Sequence, residues 1–244
     1  MTIKDFYLRF VSVRKCGCCR EILSFDRRST AFCPKCHSNW SFEKNRSCKS
    51  CFLPARECRC MPELMSRESV LSLRRLFFYD NEHSSSSGMR IIYLLKRKRN
   101  IRISRFVASE LESAVRDEME PLSLDAADVV VTWVPRHRYG EITEGFDQSQ
   151  IVAVEIARLI GAENRKLFKS KAFAKEQKLL DKRSRLKNAK SNITLVPHTD
   201  VAGKYVILYD DMVTTGSSMA ICASLLKDAG ARGVLCFSMS SRQF

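Results

Sequence analysis

Nine of the eleven cysteines in this chain fall between Cys16 and Cys60, and a pair of adjacent aspartates, Asp210-Asp211, stands just ahead of a hydroxyl-rich turn. Cys16-x2-Cys19 is followed after thirteen residues by Cys33-x2-Cys36. Two knuckles at that separation have the spacing of a zinc ribbon, in which four thiolates close one tetrahedral site. Cys48-x2-Cys51 and Cys58-x-Cys60 supply four more sulfurs, so two structural Zn²⁺ ions are expected. Spacing alone leaves open a cross-braced arrangement with ligands alternating between the two ions. A closed four-sulfur site has no free coordination position, which excludes metal catalysis there. Cys18 has poorer spacing than Cys16 and Cys19, and His37, next to Cys36, reads as a bystander.

The aspartate pair closes a short apolar run, Val206-Ile207-Leu208-Tyr209, composed like a buried strand. Thr214-Thr215-Gly216-Ser217-Ser218 follows, and a helix opens at Met219 and stops at Gly230. Free N–H groups at a helix start favour an anion, hydroxyls add donors, and glycine lets backbone come close. Two carboxylates beside such a cradle would repel a phosphate unless they face a neutral or cationic group. A ribose diol fits, as does Mg²⁺ shared with a sugar pyrophosphate. The stretch 205–219 therefore reads as a 5-phosphoribosyl binder rather than a buried strand with an ordinary capping turn.

Other segments must position this chemistry. The run 128–134 is a second buried strand and ends in Pro135-Arg136-His137-Arg138. Ligands of open α/β sheets gather outside the carboxyl ends of strands, so this end belongs beside the first. Arg136, His137 and Arg138 suit a pyrophosphate, although His137 reads equally as a plain polar loop residue. The periodicity of 148–160 predicts a helix capped by Gly161, with Asp147 or Ser149 as its N-cap. Residues 89–120 carry two amphipathic helical faces separated by a K-R-K-R-N turn. The segment 165–190, with Gln177, Leu180, Arg183, Arg185 and Asn188, reads as a basic lid or as a basic surface helix. Residues 193–196 are expected as an edge strand and 233–239 as the last strand. Three regions result: a cysteine module over 1–62, a bridge over 63–88 whose apolar run from Leu71 to Tyr79 reads as a strand or a helix end docking onto the next domain, and an α/β domain over 89–244.

The 244 residues are 45% hydrophobic, ordinary for a globular chain, and carry a net charge of +15. The excess is clustered: seven basic residues and no acid lie in 89–109, and eleven against two acids in 165–190. Such clusters suit a polyphosphate ligand or nucleic acid. No run has the length of a membrane span or of a signal-peptide core, and cysteine pairs in such a chain favour metal over disulfides; a cytoplasmic location is expected.

Taken together, V-P-R-H-R, E-G-F-D-Q-S, the Gln177/Leu180/Arg185/Asn188 pattern and D-D-M-V-T-T-G-S-S behind a cysteine module resemble the ComF family of competence-associated, phosphoribosyltransferase-like proteins. The last motif is similar to the phosphoribosyl pyrophosphate (PRPP) motif of type I phosphoribosyltransferases. The family usually has R-G-F-N-Q-S where Glu144 to Ser149 stand here. The resemblance implies a doubly wound, mostly parallel α/β sheet preceded by a small zinc domain. It implies that Asp210 and Asp211 meet the ribose hydroxyls and Mg²⁺, that Thr214, Thr215, Gly216, Ser217 and Ser218 hold the 5-phosphate, and that Arg136 and its neighbours face pyrophosphate. Purine salvage enzymes with a similar motif carry an acid where Thr214 stands, which argues against that acceptor. The family's link with natural transformation adds a rival expectation, a non-catalytic factor that binds single-stranded DNA or a DNA-uptake helicase and keeps the fold as scaffold or sensor.

Overall fold

The computed structural model describes residues 14–24, 30–68, 70–79, 86–97, 99–136, 145–170 and 192–244. Among these the helices are α1 (Pro34–Lys44), α2 (Glu63–Ser66), α3 (Ser87–Arg97), α4 (Ile101–Met119), α5 (Gln148–Ile160) and α6 (Ser217–Asp228). The strands are β1 (Val70–Phe78), β2 (Val129–Trp133), β3 (Glu163–Asn164), β4 (Phe168–Ser170), β5 (Ile193–Leu195), β6 (Tyr205–Val213) and β7 (Gly233–Ser241). Five of them form one sheet in the order β1-β7-β6-β2-β3, every pair parallel.

Side-chain alternation along β6 shows why both faces must be covered. Val206 and Leu208 join a core with Met219, Ala223 and Leu226 of α6 and Met65 of α2. Ile207 and Tyr209 point the other way, into a core with Leu111 and Val115 of α4 and Val152 and Ile156 of α5. Strands buried on both sides read as unbroken apolar runs, as β2 and β6 do. The architecture is therefore the doubly wound parallel α/β class expected from the sequence.

Two boundaries differ from the sequence expectation. β6 does not end at Tyr209. Its ladder with β7 continues through Asp210 opposite Ser238 and Val213 opposite Ser241, so both aspartates lie on the strand. The segment 63–88 contributes β1, an edge strand of the sheet whose every residue but Leu71 is buried. Ile193 and its neighbours pair antiparallel with β4 in a separate two-stranded ribbon.

The cysteine module is seated on α4 and β1. Trp40 of α1 is fully buried, with ring centroids 5.7 Å from Phe106 and 5.8 Å from Phe77. Its Nε1 donates to Glu110 Oε2 at 2.9 Å, and Lys44 pairs with the same carboxylate. A buried indole needs such an acceptor. α1 also holds the start of α3. Ser87 N donates to Glu43 Oε1 at 2.7 Å and Gly88 N to Glu43 Oε2 at 2.9 Å, while Met89 N donates to Ser86 Oγ. Three of the four orphan N–H groups of α3 are thereby satisfied. A Cβ on Gly88 would stand 2.4 Å from the Phe77 ring, so only glycine allows this approach.

Candidate functional site

The acidic pair stands near the carboxyl end of β6, with α6 starting four residues after Val213. Gly216 is the N-cap of α6, at φ 74°, and offers no capping side chain; Ser217 N reaches Thr215 Oγ1 at 3.5 Å. The left-handed conformation favours glycine, and a Cβ there would lie 2.7 Å from Met65 Sδ. Asp210, Thr214, Thr215, Gly216, Ser217 and Ser218 line a hollow of about 40 Å³. Thr215 Oγ1 and Ser217 Oγ are 2.8 Å apart, which ties two hydroxyls to its rim. Helix-start N–H groups and hydroxyls around a small hollow suit one phosphate group.

The two carboxylates have different surroundings. Asp211 is buried; its Oδ2 accepts from Gln148 Nε2 at 2.9 Å and lies 3.3 Å from Lys96 Nζ. Asp210 is half-buried, and its Oδ1 accepts the Asp211 backbone N–H at 2.8 Å. Burial, and then the neighbouring Asp211 charge, push the Asp210 carboxyl well above the usual carboxylate range. A pair held this way gains from an added cation or from hydroxyl donors.

β2 ends beside β6, since Val134 N donates to Tyr209 O at 2.9 Å. Asp147 organises the loop that follows. Its Oδ2 accepts from Trp133 Nε1 and from Arg136 N, both at 3.2 Å, and its Oδ1 accepts from Ser149 N at 2.9 Å, capping α5. A carboxylate at the N-cap is favoured by the helix dipole as well as by these donors. The Arg136 guanidinium reaches Lys96 O and Phe146 O at 3.5 Å. Arg136, Lys96, Gln148 and Asp211 thus form one connected group. Lys96 and Gln148 were not singled out from sequence, although one lies in the first basic cluster and the other in E-G-F-D-Q-S. His137, Arg138 and the lid residues Gln177, Arg183, Arg185 and Asn188 lie outside the described residues.

The cysteines form two separate four-sulfur groups, Cys16, Cys19, Cys33, Cys36 and Cys48, Cys51, Cys58, Cys60, with the sulfurs of each group within 4.8 Å of one another. The cross-braced alternative is thereby excluded. Cys19 and Cys33 sulfurs are 3.6 Å apart, close to the roughly 3.8 Å edge of a tetrahedron with Zn–S of about 2.3 Å. Backbone N–H groups of Cys18 and Cys33 reach Cys16 Sγ, and those of Ser50 and Cys60 reach Cys48 Sγ and Cys58 Sγ, all at 3.4 Å. Burial opposes charge on Cys16 and Cys48, but these and neighbouring donors bring each thiol down to about 7. Cys36 and Cys58 are pushed up by burial, and Cys36 also by the adjacent sulfurs. Four sulfurs crowded this closely are a donor set that a divalent metal would complete. Cys18 stands apart and donates to Ser87 Oγ at 3.5 Å, and His37 is exposed.

The second cluster is fastened to the sheet. Arg75 of β1 is fully buried; its Nη1 donates to Cys58 Sγ at 3.6 Å, and its Nη2 donates to Cys60 O and Leu73 O. Arg74 donates to Arg56 O and pairs with Glu118 of α4 at 2.6 Å, and Arg59 reaches the same carboxylate at 2.7 Å. Burial opposes the Glu118 charge, but the two arginines together hold its carboxyl below the usual range.

No family model matches the chain. It is 38% identical over 98 residues to a ribose-phosphate pyrophosphokinase of Prochlorococcus marinus, a match covering 38% of this chain and 27% of that protein. It is 29% identical over 146 residues to the DNA utilization protein YhgH of Escherichia coli K12, covering 59% of this chain and 63% of the relative. The chain therefore spans about a quarter of the length of the first relative and under two thirds of the second. Among solved structures, a hypoxanthine phosphoribosyltransferase from Staphylococcus aureus aligns with 58% of this chain and 66% of its own, at 9% identity and a TM-score of 0.37. The fold assignment rests on the sheet order and helix layers described above.

Proposed function

We propose that the chain binds PRPP, or a closely related ribose phosphate, together with Mg²⁺ at the carboxyl end of β6, and that each cysteine cluster holds a structural Zn²⁺. The observation that carries the ligand is the succession along one strand end of two adjacent carboxylates and a hydroxyl-rich helix start, with Asp210 and the 214–218 turn around a small hollow. Thr214, Thr215, Gly216, Ser217 and Ser218 would take the 5-phosphate, and Asp210 and Asp211 the ribose hydroxyls and the cation. Arg136, at the adjacent strand end, would face the pyrophosphate. The likeness to a ribose-phosphate pyrophosphokinase over 98 residues supports this class of ligand.

Mg²⁺, when bound, would neutralise charge on the pyrophosphate. If the chain is a transferase, the bond broken joins C1 of the ribose to the pyrophosphate oxygen, the electron pair leaves with pyrophosphate, and an acceptor nucleophile takes its place at C1. The residues named would contribute positioning and charge stabilisation to that step. The acceptor is a separate question from the ligand.

Thermal denaturation with and without PRPP and Mg²⁺ tests the reading. The melting temperature should rise with the ligand pair, and the rise should vanish in the doubly substituted Asp210→Asn, Asp211→Asn protein. A wild-type protein whose melting is indifferent to PRPP would sink the assignment.

A second reading, a DNA-associated protein that keeps the fold as scaffold or sensor, is favoured by the likeness to a protein named for DNA utilization. Single-stranded DNA binding should then weaken steeply with salt and on neutralising the basic residues of 96–99. Binding that salt leaves unchanged would exclude it.

A further inference from the structure

The acidic pair already has a cation beside it. Lys96 Nζ lies 3.3 Å from Asp211 Oδ2, and its side chain is 40% exposed while that of Asp211 is 10% exposed. A carboxylate this buried needs a counter-charge. Its second contact, the Gln148 carboxamide, is neutral. Lys96 is not there by accident of a floppy surface chain. It sits in the last turn of α3, whose first turn is held by Glu43, and its own carbonyl faces the Arg136 guanidinium. Both ends of the helix are therefore tied, and the ammonium is delivered to the strand end where the divalent cation would bind.

We propose that Lys96 is an exchangeable internal counter-ion: its ammonium holds the cation position of the acidic pair in the unliganded protein, and Mg²⁺ displaces it toward the pyrophosphate of the incoming ligand. The inference rests on the ribose-phosphate reading for the second half of this exchange. The first half depends on the divalent cation alone. An ammonium on a four-carbon stem is a point charge that can swing between partners without losing a fixed geometry, unlike a guanidinium. Its exposure leaves it room to do so. The exchange keeps Asp211 compensated in both states and presents the released charge to the most anionic part of the ligand. One lysine thereby opposes bare metal and favours metal that arrives with pyrophosphate.

The signature is a pair of effects with opposite sign. Binding of Mn²⁺ alone, followed by electron paramagnetic resonance of the free ion, should tighten about two- to fivefold in Lys96→Met and Lys96→Gln, since a competitor worth one part-exposed ion pair is removed. Binding of PRPP in excess Mg²⁺, followed by calorimetry, should weaken about tenfold in the same variants, since a charge-assisted contact is lost. Arg97→Met removes the same charge from the same turn, but the Arg97 guanidinium stacks 4.5 Å from the Tyr93 ring and should leave both affinities within about twofold. Asp211→Asn should lose the Mn²⁺ site and so locates it. Lys96 variants that bind Mn²⁺ no better than wild type, or that behave like Arg97→Met, overturn the proposal. Unweakened PRPP binding overturns the hand-over to pyrophosphate. A wild-type protein that binds Mn²⁺ at this site but not PRPP contradicts the ribose reading while leaving the counter-ion standing; one that binds no Mn²⁺ contradicts the exchange itself.

Discussion

Glu43 offers a direct measure of how firmly the cysteine module is joined to the α/β sheet. Its carboxylate is 8% exposed and accepts from Ser87 N at 2.7 Å and Gly88 N at 2.9 Å, the first two N–H groups of α3. Hydrogen bonds to a charged acceptor contribute about 1.5–3 kcal/mol each. Glu43→Ala removes two of them and leaves two buried donors, partly relieved by water entering the space. The expected cost is therefore about 3 kcal/mol. Glu43→Gln keeps one acceptor but sets an NH₂ against the other N–H, so it should recover no more than about half of that loss. For a chain of this size each kcal/mol is worth about 2–4 °C, which puts the alanine variant about 6–12 °C below wild type. Urea denaturation of the zinc-loaded proteins would supply the free energies. Hydrogen exchange across 89–95 would show whether α3 is the part released. An alanine variant within about 0.5 kcal/mol of wild type would refute the reasoning, because it would mean that the cap is solvated in solution rather than buried.

Three further outcomes are expected. Cys58→Ser and Cys36→Ser should each reduce bound zinc from two ions to one per chain, since the clusters share no ligand; loss of both ions from either variant would contradict two independent sites. Asp210→Asn should stabilise the unliganded protein at neutral pH. The folded state holds the Asp210 proton to a higher pH than the unfolded chain does, so wild-type stability falls as pH rises above about 4 and through the raised value. The advantage of the asparagine variant should accordingly be small near pH 4 and grow toward pH 8 in denaturation curves, and a constant difference would argue against the assignment. Gly216→Ala should cost about 1–2 kcal/mol, from the positive φ and the crowding against Met65, and should weaken phosphate binding at the α6 start; an alanine variant that melts with wild type would show that the turn relaxes freely.

What was legible in the sequence was local. The helix over 148–160 and its Gly161 cap follow from a 3.6-residue period and a left-handed glycine, and the structure places both there. The two cysteine groups follow from knuckle spacing. The extent of β6 past Tyr209 was not legible, because it depends on Ser238, Ser240 and Ser241 of a strand whose apolar run ends earlier. Nor was the place of β1 in the sheet, since pairing with β7 joins residues more than 160 positions apart. Lys96 was readable only as one of seven clustered cations. Its selection depends on α3 running from Glu43 to the end of β6, a three-dimensional path that no spacing along the chain encodes. Asp147 stands where the motif that the sequence resembles has asparagine, and it still makes a helix cap, because a carboxylate oxygen accepts the same N–H groups an amide oxygen can.

The burial of β1 has a consequence for how this protein would fail. An edge strand normally offers a row of open backbone groups to other chains. Here the stretch carrying Cys58 and Cys60 lies against it, gripped by Arg74 and Arg75, so the second cysteine group doubles as a cover for the sheet margin. If the group holds the proposed zinc, removing it with a chelator would loosen the cover before the parallel core melts. Inactivation by chelators should then take the form of concentration-dependent self-association through an uncovered β1, with light scattering rising while the helical signal of the core persists.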